Sequence, residues 1–291
     1  MDNSGWVFLD KSSGLFSRTA GARVARMFDV RTVGHIGTLD PMATGVLPIA
    51  LGTATKMIPF IEEIGPSDKE YLFSMQFGFQ TDTLDITGRI VRQDDFVPEL
   101  DSVLAVLPSF VGKISQIPPA FSAVHVSGRR AYELARMGRD VTPAARTVEI
   151  SALEFMGRRD ASWQFRTVCS RGTYVRALAR DIAAATGAVA TVDMIRRTRS
   201  GAFTLKNAVK LDFLENLVNN GGDFRKYLNP VDFGLGDIPV LNLDNKSATR
   251  YRNGGFIQTG GDDGLRRVYS GDVFIGIGAV ADGVLRPKRT I

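Results

Sequence analysis

The sequence predicts an α+β fold with a mixed, largely antiparallel sheet, followed by a small C-terminal unit of short β segments. Segments with strand and helix periodicity interleave along the first two thirds of the chain without a regular βαβ repeat, which favours α+β over a parallel α/β fold. Residues 163–170 alternate between an apolar and a polar face, as a half-buried strand does. Beyond residue 236 the pattern changes to short β segments separated by glycines. That change indicates a second, smaller unit.

Hydrophobic periodicity predicts the elements of the first half. Ala20 and Val24 recur at helical spacing, whereas Tyr71, Phe73 and Met75 fall on one face of an extended segment. In order, the predicted elements are a strand at 7–9, a helix at 17–28, a strand at 46–51, a helix at 54–61, a strand at 69–77 and a helix at 100–107.

The second half continues with a helix at 130–137, the strand at 163–170, a helix after Gly172 and a helix at 209–217. In the helix after Gly172, apolar side chains such as Leu178 and Ile182 form a stripe, with Gly187 as a stop. Arg176 falls on the opposite face of that predicted helix.

The length of 291 residues suits two unequal domains. A polar, glycine-rich break at 219–223 predicts a linker over 219–235. We therefore expect a larger unit at 1–218 and a smaller one at 236–291.

Composition excludes several classes of protein. A hydrophobic fraction of 44% and a charged fraction of 23% are typical of a globular domain rather than a disordered chain. The N-terminus lacks the basic start of a signal peptide, and no apolar run approaches a membrane span. We expect a cytoplasmic protein without a membrane segment. One cysteine and two histidines argue against a disulfide and against a metal site.

Positive charge is concentrated in one part of the chain. The net charge is +5, and residues 129–210 carry 16 Lys and Arg against 7 Asp and Glu. Such a segment suits phosphate binding, although an ordinary solvated surface explains it equally well. The arginines at 196–199 favour phosphate contacts, with a solvated strand edge as the alternative.

The loop at 34–45 is the strongest candidate for a functional site. It holds Asp40 between two apolar segments, together with three glycines and Pro41. Proline disfavours helical torsions at the preceding residue, so the loop displays an acid in an extended conformation. Taken alone, an Asp-Pro pair near glycines is more often a plain turn.

This loop, continued through residue 56, resembles the catalytic motif of the tRNA pseudouridine synthase B (TruB) family. The similarity runs in family order through 69–71, 81–85, 117–124 and 169–176, and covers most of residues 5–210. The resemblance implies the family's fold, in which residues 78–130 form an insertion and the C-terminal segment is a PUA-like RNA-binding barrel. It implies no cofactor.

The resemblance also implies roles for six residues. Asp40 corresponds to the nucleophile and Arg176 to its partner, while Tyr71 corresponds to the tyrosine that stacks on the base and assists loss of the C5 proton. Tyr174 and Ile195 correspond to contacts in the uracil pocket, and His35 to a residue beside the flipped nucleotide. Without the resemblance, a core tyrosine, a solvated helix arginine and a structural histidine are the more frequent roles.

The function implied by the resemblance is isomerisation of uridine 55 in the T-loop of tRNA. The expected partner is the tRNA T-stem-loop, and no obligate protein partner is expected. Two alternatives stay open: a tRNA-binding and folding module without turnover, and a guided-type synthase that acts with small RNAs. Phosphoryl transfer is poorly supported, because Asp40 has no second acid nearby in sequence and no phosphate-binding loop occurs.

Overall fold

The computed structural model describes residues 3–291, so the first two residues of the predicted larger unit lie outside it. The strands are β1 (Gly5–Lys11), β2 (Val33–His35), β3 (Thr44–Leu51), β4 (Lys69–Phe77), β5 (Phe79–Thr81), β6 (Ile90–Gln93), β7 (Gly112–Gln116), β8 (His125–Val126), β9 (Arg129–Arg130), β10 (Arg146–Arg159), β11 (Ser162–Cys169), β12 (Ala190–Ser200), β13 (Phe203–Thr204), β14 (Val209–Lys210), β15 (Val240–Asn242), β16 (Ile257–Gln258), β17 (Gly264–Ser270), β18 (Val273–Ala281) and β19 (Val284–Thr290).

The α-helices are α1 (Ser17–Met27), α2 (Ile58–Ile64), α3 (Leu100–Val106), α4 (Ala131–Arg136), α5 (Val175–Ala185), α6 (Leu211–Asn219) and α7 (Asn245–Arg252). Short 3₁₀ turns lie at Gly52–Met57, Leu107–Phe110, Leu205–Asn207 and Arg225–Tyr227. Among the helices of residues 3–291, none has both the length and the hydropathy required to cross a bilayer.

Ten strands form the main sheet. Its path is β14-β1-β3-β12-β4-β11-β10-β7, with β2 beside β3 and β13 beside β12. The β1–β14 and β3–β12 pairs are parallel, and the other pairs are antiparallel. The predicted mixed, largely antiparallel sheet is confirmed.

Two predicted helices begin differently in the structure. The helix predicted at 54–61 is a 3₁₀ turn over Gly52–Met57 that continues as α2, with Pro59 in the first turn, where its missing N–H leaves no hydrogen bond unmade. The helix predicted at 209–217 begins at Leu211, because the two preceding residues form β14 and pair with β1.

The central strand β4 separates an apolar face from a polar one. Tyr71, Phe73 and Met75 are buried in a core that α1, α3, α5 and α6 cover. On the other face, Ser74 and Gln76 donate hydrogen bonds to the carboxylate of Asp193. The period of two that marks β4 in the sequence therefore places Tyr71 on the helix-covered side.

A second core lies on the opposite face of β1 and β3. Trp6 and Phe8 are buried there together with Ile238 and Ile277 from the C-terminal part of the chain. Trp6 Nε1 donates to the carbonyl oxygen of Val231 at 2.9 Å. The first strand and the C-terminal unit consequently share one apolar core.

The C-terminal unit is a five-stranded sheet in the order β15-β17-β18-β19-β16. Its inner face packs on α7 around the buried Tyr251. The small β unit that the sequence predicts is therefore present.

The segment 219–235 lies along the main sheet. The ring of Phe224 meets the edge of Phe28 at a centroid distance of 5.0 Å, and Asn229 exchanges two backbone hydrogen bonds with Trp6 at 2.9 and 2.8 Å. The domain limits at 218 and 236 stay a prediction, whereas the segment between them is held in place.

The shared core makes one prediction about stability. Ile277→Ala should lower the free energy of unfolding by about 2–5 kcal/mol, because it leaves a cavity between the C-terminal unit and β1. Val273→Ala is the matched control, since Val273 lies on the same strand and is 58% exposed. It should cost less than about 0.5 kcal/mol. Urea denaturation followed by circular dichroism measures both, and equal effects would show that the C-terminal unit does not pack on β1 in solution.

Candidate active site

The Asp40 loop, residues 36–43, is held by a lysine at the end of β1. Lys11 is fully buried, and its Nζ donates to the carbonyl oxygens of Ser12, Leu15 and Pro41 at 3.0, 2.8 and 3.0 Å. Burial lowers the pKa of Lys11 to about 8, and the nearby Asp40 opposes that shift. Lys11 is not among the residues predicted for the site, yet its side chain fixes the carbonyl of Pro41 next to Asp40.

Two more buried side chains hold the same loop. Ser17 Oγ accepts from the Leu39 amide at 3.0 Å and donates to the Leu39 carbonyl at 2.9 Å. Arg197 of β12 donates through Nε to the carbonyl of Val46 and through Nη2 to that of Gly37, both at 2.8 Å. The loop is therefore a rigid element, although it lacks regular secondary structure.

Gly45 explains how β12 approaches the loop so closely. It pairs with Arg197 in the parallel β3–β12 ladder and has a φ of +101°. A Cβ at this position would lie 2.1 Å from the Arg197 carbonyl oxygen. Only glycine fits both the torsion and the space.

The arginines at 196–199, which the sequence favours as phosphate contacts, have different environments. Arg197 is fully buried and contradicts that expectation, because its guanidinium holds backbone carbonyls. Arg196 forms an ion pair with Asp10 at 2.9 Å. Arg199 stays partly exposed.

A cavity of about 200 Å³ opens beside Asp40. A cavity of this size suits a single nucleobase and excludes a base-paired stem. The lining comes from the loop, β4, β12 and the start of α5: Gly37, Thr38, Leu39, Asp40, Ala43, Lys69, Tyr71, Gly172, Thr173, Tyr174, Val175, Arg176 and Ile195. Five of the six sequence-predicted residues therefore meet in one pocket.

The charged pair of the pocket is Asp40 with Arg176. Arg176 Nε lies 2.8 Å from Asp40 Oδ2. The arginine side chain is 3% exposed and the aspartate side chain 36% exposed, so a partly exposed carboxylate faces a buried cation. Helical periodicity places Arg176 opposite the apolar stripe of α5, and residues of the insertion cover that side.

Arg176 is held by the insertion. Its Nη1 donates to the carbonyl of Thr83 at 2.6 Å, and its Nη2 donates to the carbonyl of Phe121 at 3.0 Å. Nη1 also lies 3.6 Å from Asp85 Oδ2. A buried guanidinium requires such partners because its desolvation is costly.

A tight turn presents Asp85 to the arginine. The side chain of Asp85 accepts from Thr83 Oγ1 at 2.9 Å and from the Thr87 amide at 3.0 Å. Leu84 between them has a φ of +63°, which is rare for a leucine. The motif at 81–85, which is part of the family resemblance but has no predicted role, thus builds the wall behind Arg176.

Tyr71 and Ile195 form the apolar side of the pocket. They lie on the neighbouring strands β4 and β12, and are 7% and 4% exposed. Burial raises the pKa of the Tyr71 hydroxyl, while the nearby guanidinium of Arg197 favours the phenolate and reduces that shift. The hydroxyl therefore stays protonated at neutral pH.

Tyr174 is fixed through its backbone. Its amide donates to Gln116 Oε1 at 2.8 Å, and its carbonyl accepts from Gln116 Nε2 at 3.3 Å. The guanidinium of Arg146 lies 5.6 Å from the centre of the tyrosine ring. A fully buried glutamine of the insertion thus positions this pocket residue.

His35 lies outside the pocket lining. Its Nε2 is 3.0 Å from Thr38 Oγ1, and Thr38 itself lines the cavity. Burial, with a contribution from Arg197, lowers the pKa of His35, so the ring is neutral at pH 7. Among residues 3–291, the acids, histidines and cysteine form no group that could hold a metal ion.

Three segments of the chain match models of known protein families. Residues 25–175 match the family described as TruB family pseudouridylate synthase (N terminal domain). Residues 176–235 match the tRNA pseudouridylate synthase B C-terminal domain, and residues 239–291 match Pseudouridine synthase II TruB, C-terminal. The chain belongs to the TruB family.

Individual relatives agree with this TruB assignment. The tRNA pseudouridine synthase B of Ehrlichia chaffeensis is 38% identical and is matched over 98% of both chains. That of Caulobacter sp. (strain K31) is 45% identical over 86% of this chain and 80% of the relative.

Solved structures show the same TruB-type fold. One chain of the structure titled "Crystal Structure of a Cbf5-Nop10-Gar1 Complex" has a TM-score of 0.70 at 24% identity, covering 98% of this chain and 84% of that one. The structure titled "Structure of H/ACA RNP bound to a substrate RNA containing 2'-deoxyuridine" gives 0.70 at 23% identity, covering 99% and 85%.

The anchoring of Arg176 makes a second prediction about stability. Arg176→Met should lower the free energy of unfolding by about 3 kcal/mol, because it leaves the buried Asp85 without its cation and two carbonyls without donors. Arg180→Met is the control, since Arg180 lies one turn further along α5 and its side chain is 25% exposed. It should cost less than about 1 kcal/mol. Urea denaturation compares the two variants, and a similar small loss in both would mean that the insertion does not hold Arg176.

Proposed function

We propose that this protein converts uridine to pseudouridine in tRNA, with uridine 55 of the T-loop as its target and Asp40 as the nucleophile. One observation carries the proposal: the half-exposed Asp40 carboxylate lies 2.8 Å from a buried arginine at a pocket the size of one base. The membership in the TruB family and the relatives named tRNA pseudouridine synthase B support it.

The reaction needs few chemical groups. It breaks the bond between ribose C1′ and uracil N1 and forms a bond from C1′ to C5, while the C5 proton is lost and N1 gains a proton. A carboxylate can attack uracil C6 or ribose C1′ and hold one fragment while the base turns. The ion pair with Arg176 holds the Asp40 carboxylate in one orientation, which favours such an attack.

The pocket geometry supports base extrusion. A base inside a stacked loop cannot reach a cavity of about 200 Å³ beside Asp40, so the nucleotide must turn out of the stack first. Tyr71 and Ile195 offer apolar surface to the flat ring, and aromatic side chains commonly receive unstacked bases. His35, at the edge of the site, contacts the nucleotide region in this proposal.

The same proposal assigns a role to each unit. Residues 1–218 with the insertion at 78–130 perform the chemistry, 219–235 link the units, and 236–291 bind RNA as a PUA-like domain. Exposed Arg286, Lys288 and Arg289 on β19 supply positive charge there. We expect a cytoplasmic enzyme that recognises the T-stem-loop without an obligate protein partner. The intact pair of Asp40 and Arg176 argues against a module without turnover.

Replacing the proposed nucleophile gives the most direct test. Asp40→Asn should abolish pseudouridine formation, because the amide is nearly isosteric but far less nucleophilic, while tRNA affinity should stay within about an order of magnitude. Unmodified tRNA transcripts are incubated with the protein, and pseudouridine is mapped by chemical labelling. Asp68→Asn, at an exposed acid before β4, is the control and should leave the rate unchanged. Turnover in the Asp40 variant would refute the proposal, and product at a position other than 55 would refute the target.

Tyr71 has two proposed roles that two substitutions separate. Tyr71→Phe keeps the ring and removes the hydroxyl, so it should bind tRNA almost normally but turn over very slowly. Tyr71→Leu should also lose stacking on the base, worth about 1–3 kcal/mol of binding. Single-turnover rates and dissociation constants distinguish them. A Phe variant with the wild-type rate would leave Tyr71 as a stacking surface only.

A further inference from the structure

Lys69 is a cation in the pocket wall that the proposed mechanism does not use. It is the first residue of β4, two positions before Tyr71 and on the same face of the strand. It lines the cavity together with Asp40, Tyr71 and Ile195. Within residues 3–291 its ammonium group makes no hydrogen bond and no ion pair. A half-buried lysine without a partner is costly to keep in a fold.

A second unpartnered donor lies beside it. Arg197 Nη1 is buried with no partner at full hydrogen-bond geometry, while Nε and Nη2 donate to backbone carbonyls and the guanidinium lies beside the Tyr71 hydroxyl. Both cations approach Gly37, since a Cβ on this glycine would lie 2.8 Å from Arg197 Nη1 and 3.2 Å from Lys69 Nζ. The two donors therefore converge at a residue that itself lines the pocket.

The groups around Lys69 do not neutralise it. Arg197 faces it from β12 and Arg171 from the turn after β11, while Cys169 and Glu62 are the groups that favour its charge. Glu62 is exposed to solvent, and burial keeps the Cys169 thiol protonated by raising its pKa to about 11. Burial, with Arg197, lowers the pKa of Lys69 to about 8.

The ligand of Lys69 belongs in the main pocket. A smaller cavity on the other side of the lysine, lined also by Ser67, Arg171 and Ser200, measures about 30 Å³. It is several times smaller than the main cavity, and no nucleotide fits. The main cavity is the one that admits a base.

We propose that the Lys69 ammonium donates a hydrogen bond to a carbonyl oxygen of the target uracil and stabilises the negative charge that the base gains during the reaction. This inference rests on the proposed function. When the C1′–N1 bond breaks, its electron pair stays on the base and spreads over the carbonyl oxygens. The pair returns when C5 bonds to C1′, and the C5 proton then leaves. A cation held at a carbonyl oxygen stabilises the anionic base relative to the neutral base.

The chemistry of lysine also selects the base. A lysine ammonium only donates hydrogen bonds, and uracil presents two carbonyl acceptors. Cytosine replaces one carbonyl with an amine, which is itself a donor. When the Lys69 ammonium contacts the 4-position of the base, it therefore favours uracil over cytosine.

The test uses Lys69→Met, which keeps the length and removes the charge, and Lys69→Arg, which keeps a charge that does not titrate. Lys113→Met, at an exposed lysine on the edge strand β7, is the control. Single-turnover rates are measured on tRNA transcripts from pH 6 to 9.5, with dissociation constants at several salt concentrations. The Met variant should lose about 10²- to 10³-fold in rate, with an unchanged salt dependence of binding.

The pH profile separates a chemical role from a structural one. Since the charged form of Lys69 is the active one, the wild-type rate should fall as pH rises above about 8. This decline should be absent in Lys69→Met and should move to higher pH in Lys69→Arg. The unfolding midpoint of Lys69→Met should equal or exceed that of the wild type, because an unpartnered cation has been removed.

Three outcomes would overturn the inference. A Met variant within threefold of the wild-type rate would show that the base does not depend on Lys69. A log-log salt slope smaller by about one unit would assign Lys69 to a phosphate instead. A lower unfolding midpoint would make the lysine structural. If the wild type and the Lys113 control form no pseudouridine, the proposed function itself has failed, which is a distinct result.

Discussion

The structure of the site depends on the burial of the Arg176 guanidinium. A buried cation must find hydrogen-bond acceptors and negative charge, because water can no longer stabilise it. The acceptors come from separate parts of the chain: the Asp40 loop, the turn around Asp85 and the backbone near Phe121. None of these segments satisfies the arginine alone. The helix α5, the loop and the insertion must therefore fold together, and the pocket forms only when all three are in place.

The two cations that hold the Asp40 loop are paired in an unusual way. Lys11 and Arg197 are both fully buried and both donate to backbone carbonyls rather than to carboxylates. Carbonyl oxygens satisfy the donors but carry no formal charge, so the region keeps a positive potential. A polyanion such as RNA compensates that potential when it binds. Burying these two cations destabilises the free protein, but the same two side chains make the loop rigid.

Local patterns in the sequence predicted much of the fold. The alternation in β4 and β11 and the apolar stripe of α5 are short-range signals, and each element appears where its period places it. The resemblance, rather than periodicity, indicated that Asp40 and Arg176 belong together. Burial of Arg197 was not predictable, because a charged residue in a strand is usually exposed. Its carbonyl partners lie about 150 residues away in sequence, and no local pattern reports such contacts.

The depth of each group in the pocket suggests how a nucleotide is oriented there. The Asp40 side chain is 36% exposed, whereas Tyr71 is 7% exposed and Lys69 lies on the same strand face. A base that enters edge first reaches Tyr71 and Lys69 while its ribose stays near the opening. In the proposed reaction, the C1′–N1 bond of such a nucleotide lies at the level of Asp40, where the carboxylate meets either C6 or C1′. In the proposed reaction, bond cleavage therefore takes place at the rim, while the deeper Tyr71 holds the free base as it turns.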